Sequence, residues 1–239
     1  MSNSESNPTP LHRKWIEPSA GLMAALTTVL ISIGGLVEIG PMFLAGSGTP
    51  GSESVAPYTP LQVAGRDLYV REGCVACHSQ MVRPIRSETL RYGGEWSRAY
   101  EYTWDRPFLL GSRRIGPDLH RVGGKYPDAW HFEHLRDPRV TSPGSIMPVY
   151  PWLLEQSIDP ADVVASMRAL RIAGTPYSDA DLAAAPGSLA ADGQAIADRL
   201  ATANLIAEPD REIVAMIAYL QRLGSDRPRP LGSASAASP

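Results

Sequence analysis

Cys74-Val75-Ala76-Cys77-His78 constrains this chain more than any other stretch of it. Its two cysteines are the only ones among 239 residues, so a fold held by a disulfide framework is excluded, and the histidine beside them indicates what the pair is for. C-x-x-C-H is the spacing of c-type haem attachment: the two thiols form thioethers to the haem vinyl groups, and the imidazole is delivered to one axial position of iron. Two rivals are weaker. A zinc site needs further soft ligands at similar spacing, and no other cysteine exists. A thioredoxin-like redox pair needs a βαβ context, which the flanking sequence lacks. One covalent haem c is therefore the expected cofactor.

Histidine at one axial position leaves a second to the remaining histidines and methionines. Met23 and Met42 fall in or beside an apolar N-terminal run, Met81 follows His78 too closely to reach the opposite face, and Met167 and Met216 fit helix faces as core. Met147 stands apart in Ser145-Ile146-Met147-Pro148, a loop whose prolines prevent regular structure, and is the expected distal ligand. The rival is a bis-histidine haem using His131 or His134, three apart on a short helical stretch. A ligating imidazole usually donates its other ring N–H to a carbonyl. Gly116-Pro117-Asp118-Leu119 offers one, with the Pro117 carbonyl expected to face His78. Arg83, Arg86, Arg113 and Arg114 are candidates to neutralise the haem propionates, because a guanidinium fork pairs well with carboxylates. A solvated surface position suits each of them equally.

Ahead of the motif, His12, Arg13 and Lys14 precede an uncharged run from Ser19 to Val37, about the length a helix needs to cross a hydrocarbon core of ~30 Å. Positive charge on the N-terminal flank predicts a cytoplasmic N-terminus, with everything after the span on the outer face. A cleaved signal peptide is the competing reading, disfavoured by the length of the run and by Phe43 before Ala45, a poor small-x-small site. Glu38 lies near the outer end, where an acidic group reaches the interface or meets a partner.

The expected division is a tail over 1–18, a transmembrane anchor over 19–45, a linker rich in Gly, Ser, Thr and Pro over 46–60, a cytochrome c domain over 61–224 and a disordered tail over 225–239. Within the domain, Leu61, Ala64 and Leu68 share a helical face leading into Gly73. Asp159 with Pro160 opens another helix, and Ser178 with Asp181 resembles a capping box. A last helix runs from about Asp210, with Ile213, Ile217, Leu220 and Leu223 on its apolar face and Gly224 as its stop. Between Ser79 and Ser145 the pattern predicts loop with one short helix, Asp128 to Arg136, and nothing in the domain alternates like a strand. Net charge is −3 and the basic residues are spread along the chain, so nucleic acid is not an expected partner.

Longer stretches carry a resemblance. His78-Ser79-Gln80-Met81-Val82-Arg83-Pro84, Arg91-Tyr92-Gly93, Gly111-Ser112-Arg113-Arg114-Ile115-Gly116-Pro117-Asp118-Leu119 and Arg121-Val122-Gly123-Gly124-Lys125-Tyr126 resemble the mono-haem subunit (subunit II) of cbb3-type cytochrome c oxidases. So do Trp130-His131 with His134-Leu135, Met147-Pro148, Tyr150-Pro151-Trp152-Leu153 and Ala218-Tyr219-Leu220-Gln221, in the same order from about Trp15 to Gly224. The resemblance implies an all-α, class I-like cytochrome c domain with one N-terminal transmembrane helix, single-pass in the bacterial inner membrane with the haem domain periplasmic. It maps the thioethers onto Cys74 and Cys77 and the axial ligands onto His78 and Met147. It further implies a non-catalytic electron-transfer subunit, whose partners are the catalytic subunit I and a di-haem cytochrome c subunit, with a soluble cytochrome c as a further candidate donor. A structural cation at the contact with the catalytic subunit is conceivable. A free-standing membrane-tethered shuttle and the cytochrome subunit of a nitric oxide reductase are the alternatives. Neither explains the arginine- and tryptophan-rich segment from Met81 to Arg121, which is expected, with the anchor helix, to dock on the catalytic subunit.

Overall fold

The computed structural model describes residues 10–44 and 55–225, all helix, turn and loop apart from one isolated antiparallel bridge between Ser157 and Arg211. The first nine residues of the expected tail, the last residue of the expected anchor, most of the expected linker and residues 226–239 lie outside that description. The chain divides into two units, Met1–Gly48 and Thr49–Pro239.

In the first unit a short helix α1 (Leu11–Trp15) leads to α2 (Ala20–Leu44). Arg13 pairs with Glu17 one turn on, and the Leu22 N–H donates to Ser19 Oγ at 3.3 Å, satisfying an otherwise free amide at the start of α2. Twenty-five residues give α2 a length of about 37 Å. Its stretch Ala20–Gly40 has a mean hydropathy of 2.0 and none of it is buried within the protein, so by length and composition it fits a membrane anchor.

The second unit is organised by two helices that cross closely, α3 (Pro60–Arg71) and α10 (Glu212–Arg222). Thr59 and Gln62 close a capping box at the start of α3, and Pro60 takes the first helical position, where a missing N–H costs nothing. The crossing depends on Gly65: a Cβ there would lie 2.0 Å from the Ala215 carbonyl oxygen and 2.7 Å from Tyr219 Cβ. Leu61, Val63, Leu68 and Tyr69 meet Ile213, Met216, Ile217 and Tyr219 in a core that includes Met167. Every residue of α10 from Glu212 to Leu220 is buried, as expected of a helix surrounded by others rather than lying on a surface. It starts at Glu212 rather than near Asp210, because Asp210 and Glu212 are engaged through their backbones by Ile158 and Gln156.

Around this pair pack α5 (Asp128–Arg136), α8 (Pro160–Ile172) and α9 (Asp179–Thr202). Asp159 caps α8 through the Ala161 N–H, and Ser178 with Asp181 caps α9. Asn204, in the left-handed region at φ 59°, follows the end of α9 and lets Leu205 donate back to the Leu200 carbonyl.

The expectation of a single short helix between Ser79 and Ser145 is incomplete. α4 (Arg86–Arg91), a 3₁₀ turn over Ala99–Tyr102 and α6 (Pro138–Thr141) are also present. α4 has no side-chain cap of its own. Buried Glu88 forms it, accepting from the Arg83 N–H at 2.9 Å and pairing with Arg83 and Arg114, contacts invisible to a local pattern.

Candidate functional site

Gly73, at φ 72°, ends α3 in the left-handed conformation and turns the chain into a 3₁₀ turn, Cys74–Ala76. The Cys74 carbonyl then accepts from both Cys77 N–H (3.1 Å) and His78 N–H (2.9 Å), gathering both thiols and the imidazole on one tight turn. All three side chains are half-buried, and Cys74 packs on the edge of the core, as do Val75, Leu119, Tyr126, Met147 and Tyr150.

The imidazole is held from behind. His78 Nδ1 lies 2.8 Å from the Pro117 carbonyl oxygen, an atom that only accepts, so Nδ1 carries the proton and Nε2 keeps its lone pair. The ring lies flat on Gly116, where a Cβ would fall 2.2 Å from Cε1. Burial lowers the His78 pKa, opposed in part by the Pro117 carbonyl and Asp118, so the ring is neutral at neutral pH, the form that ligation requires. Burial likewise pushes the Cys74 thiol up to about 12, which disfavours the thiolate that zinc binding or disulfide exchange requires.

Bonds spread outward from this seat. Gly116 N–H donates to the Cys77 carbonyl at 3.0 Å and Leu119 N–H to the Ser79 carbonyl at 2.8 Å. Gln80 reaches the Tyr219 hydroxyl at 2.9 Å, and Tyr102 donates to the Gln80 carbonyl at 2.7 Å, so the segment after His78 is fastened to α10.

Met147 sits half-buried in the loop after α6. Pro143 and Gly144 (φ 81°) form the tight turn that precedes it, closed by Ser145 N–H on the Ser142 carbonyl. Beyond Met147, Tyr150 hydrogen-bonds the Leu135 carbonyl of α5, and Trp152, at the start of α7 (Trp152–Glu155), donates from Nε1 to Glu72 at 2.9 Å. Burial, with the two nearby thiols, pushes the Tyr150 hydroxyl up to about 12.

The rival histidines both lie on α5. His134 Nδ1 lies 2.6 Å from Thr141 Oγ1 and its ring stacks on Trp130, which stacks in turn on Tyr126. His131 is buried edge-on against Tyr126 and Trp130. Of the four arginines, Arg83, Arg86 and Arg113 are exposed; Arg83 and Arg114 converge on Glu88, and Arg114 also donates to Ser79 Oγ and the Met81 carbonyl. Among the described residues no group of three or more His, Cys, Asp or Glu gathers as a metal site.

A model of the family described as the mono-haem subunit of cytochrome c oxidase, FixO, matches residues 13–227. The chain belongs to this family. It is thus a mono-haem cytochrome c subunit of the cbb3-type oxidases, all-α and with one apolar N-terminal helix, and the family implies a haem and a place beside a catalytic subunit. A direct sequence search of curated proteins matched none. The residues present fit the group: two half-buried thiols, a neutral imidazole with Nε2 unprotonated, and a glycine against the ring where any Cβ would displace it. Two features of this region were not read from the sequence. One is the buried Asp118–Arg114 pair, whose only trace was the acid in Gly116-Pro117-Asp118-Leu119, and the other is the Trp152–Glu72 bond, which leaves no local pattern.

Proposed function

We propose that this chain relays electrons to the catalytic subunit of a cbb3-type terminal oxidase through one haem c bound covalently at Cys74 and Cys77. The observation that carries the reading is the His78 seat, with Nδ1 on the Pro117 carbonyl and the ring on Gly116. That arrangement fixes the tautomer, aims Nε2 away from the backbone and strengthens it as a ligand. His78 and Met147 would be the axial ligands, the sulfur tending to raise the reduction potential as a relay near the end of a respiratory chain requires. The haem supplies one-electron exchange. The chain holds both axial positions, excludes water from the thioether turn with Val75, Leu119 and Tyr150, and offers exposed Arg86 and Arg113 as the freer candidates for the propionates. With both positions filled by protein ligands, oxygen chemistry belongs to the partner.

His12, Arg13 and Lys14 before α2 support a cytoplasmic N-terminus and a periplasmic haem domain, with α2 crossing the bacterial inner membrane once. The proposed donors are the di-haem cytochrome subunit and a soluble cytochrome c. The test is purification of the tagged chain from its native membranes, with haem staining of a denaturing gel and identification of co-purifying subunits. Covalent haem on this chain, together with an oxidase catalytic subunit, is expected. Haem staining without oxidase subunits would favour a free-standing shuttle, and an unstained chain would overturn the reading altogether. Cys74→Ala and Cys77→Ala should each abolish stable holo-protein, since no other cysteine can substitute.

A further inference from the structure

Behind His78 lies a set of charges that haem attachment itself does not require. The Asp118 side chain is completely buried. Its Oδ2 accepts from Ser79 Oγ at 2.7 Å and from the Met81 N–H at 2.8 Å, and its Oδ1 accepts from the His120 N–H at 2.9 Å. Arg114 Nη2 stands 3.6 Å from the same carboxylate, while Arg114 Nε donates to Ser79 Oγ at 2.7 Å, Nη2 to the Met81 carbonyl at 2.6 Å, and Nη1 to Glu88. Arg114 is therefore enclosed by Asp118, Glu88 and the segment from Ser79 to Met81, with Tyr92 also close to its guanidinium.

The placement of these bonds is specific. Ser79 follows His78 directly, and Asp118 follows Pro117 directly, so the Ser79–Asp118 bond closes one residue beyond the His78–Pro117 bond on both strands of chain. Two adjacent cross-links hold the carbonyl more tightly than either alone, and a charged acceptor makes the second one strong. A buried ion pair is poor support for a stabilising role by itself, since desolvation offsets most of the attraction. Simple anchoring would have been served as well by an apolar contact.

We propose that Asp118, fixed by Arg114, is a positioning residue that keeps the Pro117 carbonyl on His78 Nδ1 and thereby lowers the reduction potential of the iron His78 ligates. This rests on the haem reading above. The sign follows from two effects that act together. A strong Nδ1–H···O bond makes the imidazole a better donor, which favours ferric iron. A buried carboxylate next to the ligand strand favours the more positive metal as well.

The experiment measures the potential of the purified holo-protein by redox titration, in wild type, Asp118→Asn, Ser79→Ala and Asp162→Asn. Asp118→Asn keeps the shape and removes the charge, and should raise the ferrous-to-ferric ratio at a fixed ambient potential at least threefold. Ser79→Ala keeps the charge and removes the neighbouring cross-link, and should raise the ratio less. Asp162→Asn removes an exposed carboxylate on the first turn of α8 and should leave it unchanged. Exchange of the His78 Nδ1–H with solvent, followed by nuclear magnetic resonance in the ferrous state, should quicken in Asp118→Asn and Ser79→Ala, a change that a merely structural residue elsewhere would not produce. If Asp118→Asn does not accumulate, Ser79→Ala decides by the same two measurements. Holo-protein whose potential and ring N–H exchange match the wild type in the substituted chains would overturn this inference alone. A wild-type chain without covalent haem would overturn it together with the proposed function.

Discussion

The His78 side and the Met147 side of the proposed site are built differently. From Cys77 to Val82 the chain is bonded residue by residue to distant parts of the fold: Gly116, Pro117, Asp118, Leu119, Leu110, Ser97 and Tyr219 all take part. From Ser145 to Tyr150 the bonds are local or long, a 3.2 Å contact from Met147 N–H to Ser145 Oγ and a 3.4 Å contact from Tyr150 to Leu135. Ile146, next to Met147, is 82% exposed. The firmer attachment comes only at Trp152, five residues on, where its indole meets Glu72 and Glu72 shares Arg71 with buried Glu212. The difference teaches that the histidine is preorganised by folding, whereas under the proposed ligation the methionine loop would have to lose part of its freedom, which would weaken that bond relative to the other.

Five substitutions test this contrast. The largest effect is expected from Gly116→Ala, because the new Cβ would meet the His78 ring at 2.2 Å, and the ring is held in place by the Pro117 carbonyl. Displacing the ring should cost on the order of 4 kcal/mol and lower the yield of haem-stained protein more than tenfold. On the other side, Gly144→Ala meets open space and only the strain of φ 81°, so about 1 kcal/mol by thermal unfolding is expected. Equal losses from the two would erase the distinction.

Met147→Leu nearly conserves volume and should cost under about 1.5 kcal/mol of stability. Its main effect should be on the metal: haem remains attached, the weak near-infrared band of a sulfur-to-iron bond disappears, and the potential falls. Persistence of that band would eliminate Met147 as its source and return attention to the other methionines, whereas its absence from the wild type would return attention to His131 and His134.

His131 supports the methionine side through α5, whose Leu135 carbonyl receives Tyr150. Burial lowers its pKa to about 4, with the nearby Asp128 opposing and His134 reinforcing the shift. The unfolded chain therefore binds the proton more readily between pH 6.5 and about 4. Stability present above the ordinary histidine value should fall across that window, by up to about 3 kcal/mol. His131→Phe removes the titration and should flatten the slope of unfolding free energy against pH there, and an unaltered slope would exclude His131 as its source. An effect as small as that of Gly144→Ala is expected from Trp152→Phe, which loses one partly exposed bond to Glu72 worth about 1 kcal/mol. Its sign is diagnostic: the sulfur-to-iron band should be lost at lower denaturant concentration than in the wild type, while the His78 Nδ1–H remains protected.

Much of this molecule was legible because its signals are local. The capping pairs Asp159 with Pro160 and Ser178 with Asp181 marked two helices, since a cap satisfies its own first turn and needs nothing from elsewhere. The span of α5 was readable as written, and Met167 and Met216 are core residues at helical spacing. α4 was missed for the opposite reason: its six residues are stabilised by Glu88 reaching Arg83 and Arg114, and Arg114 lies 26 positions away. Arg114 itself was one of four equivalent guanidinium groups in the sequence, and only the fold surrounds it with two carboxylates.

The amino-acid order alone determined what a contiguous stretch can specify: a tight Cys-x-x-Cys-His turn, an apolar helix long enough for a membrane, and the family. Each depends on residues within about one helical length of one another, or on a pattern of residues in order, and spacing along a chain records both. The tertiary structure decided what depends on separation in space. It put Gly116 and Pro117 behind a histidine 38 and 39 positions earlier, buried Asp118 against Ser79, and left the methionine loop tied through Trp152 to a glutamate 80 residues away. The α3–α10 crossing at Gly65 is a contact of the same kind, bringing the two ends of the domain together.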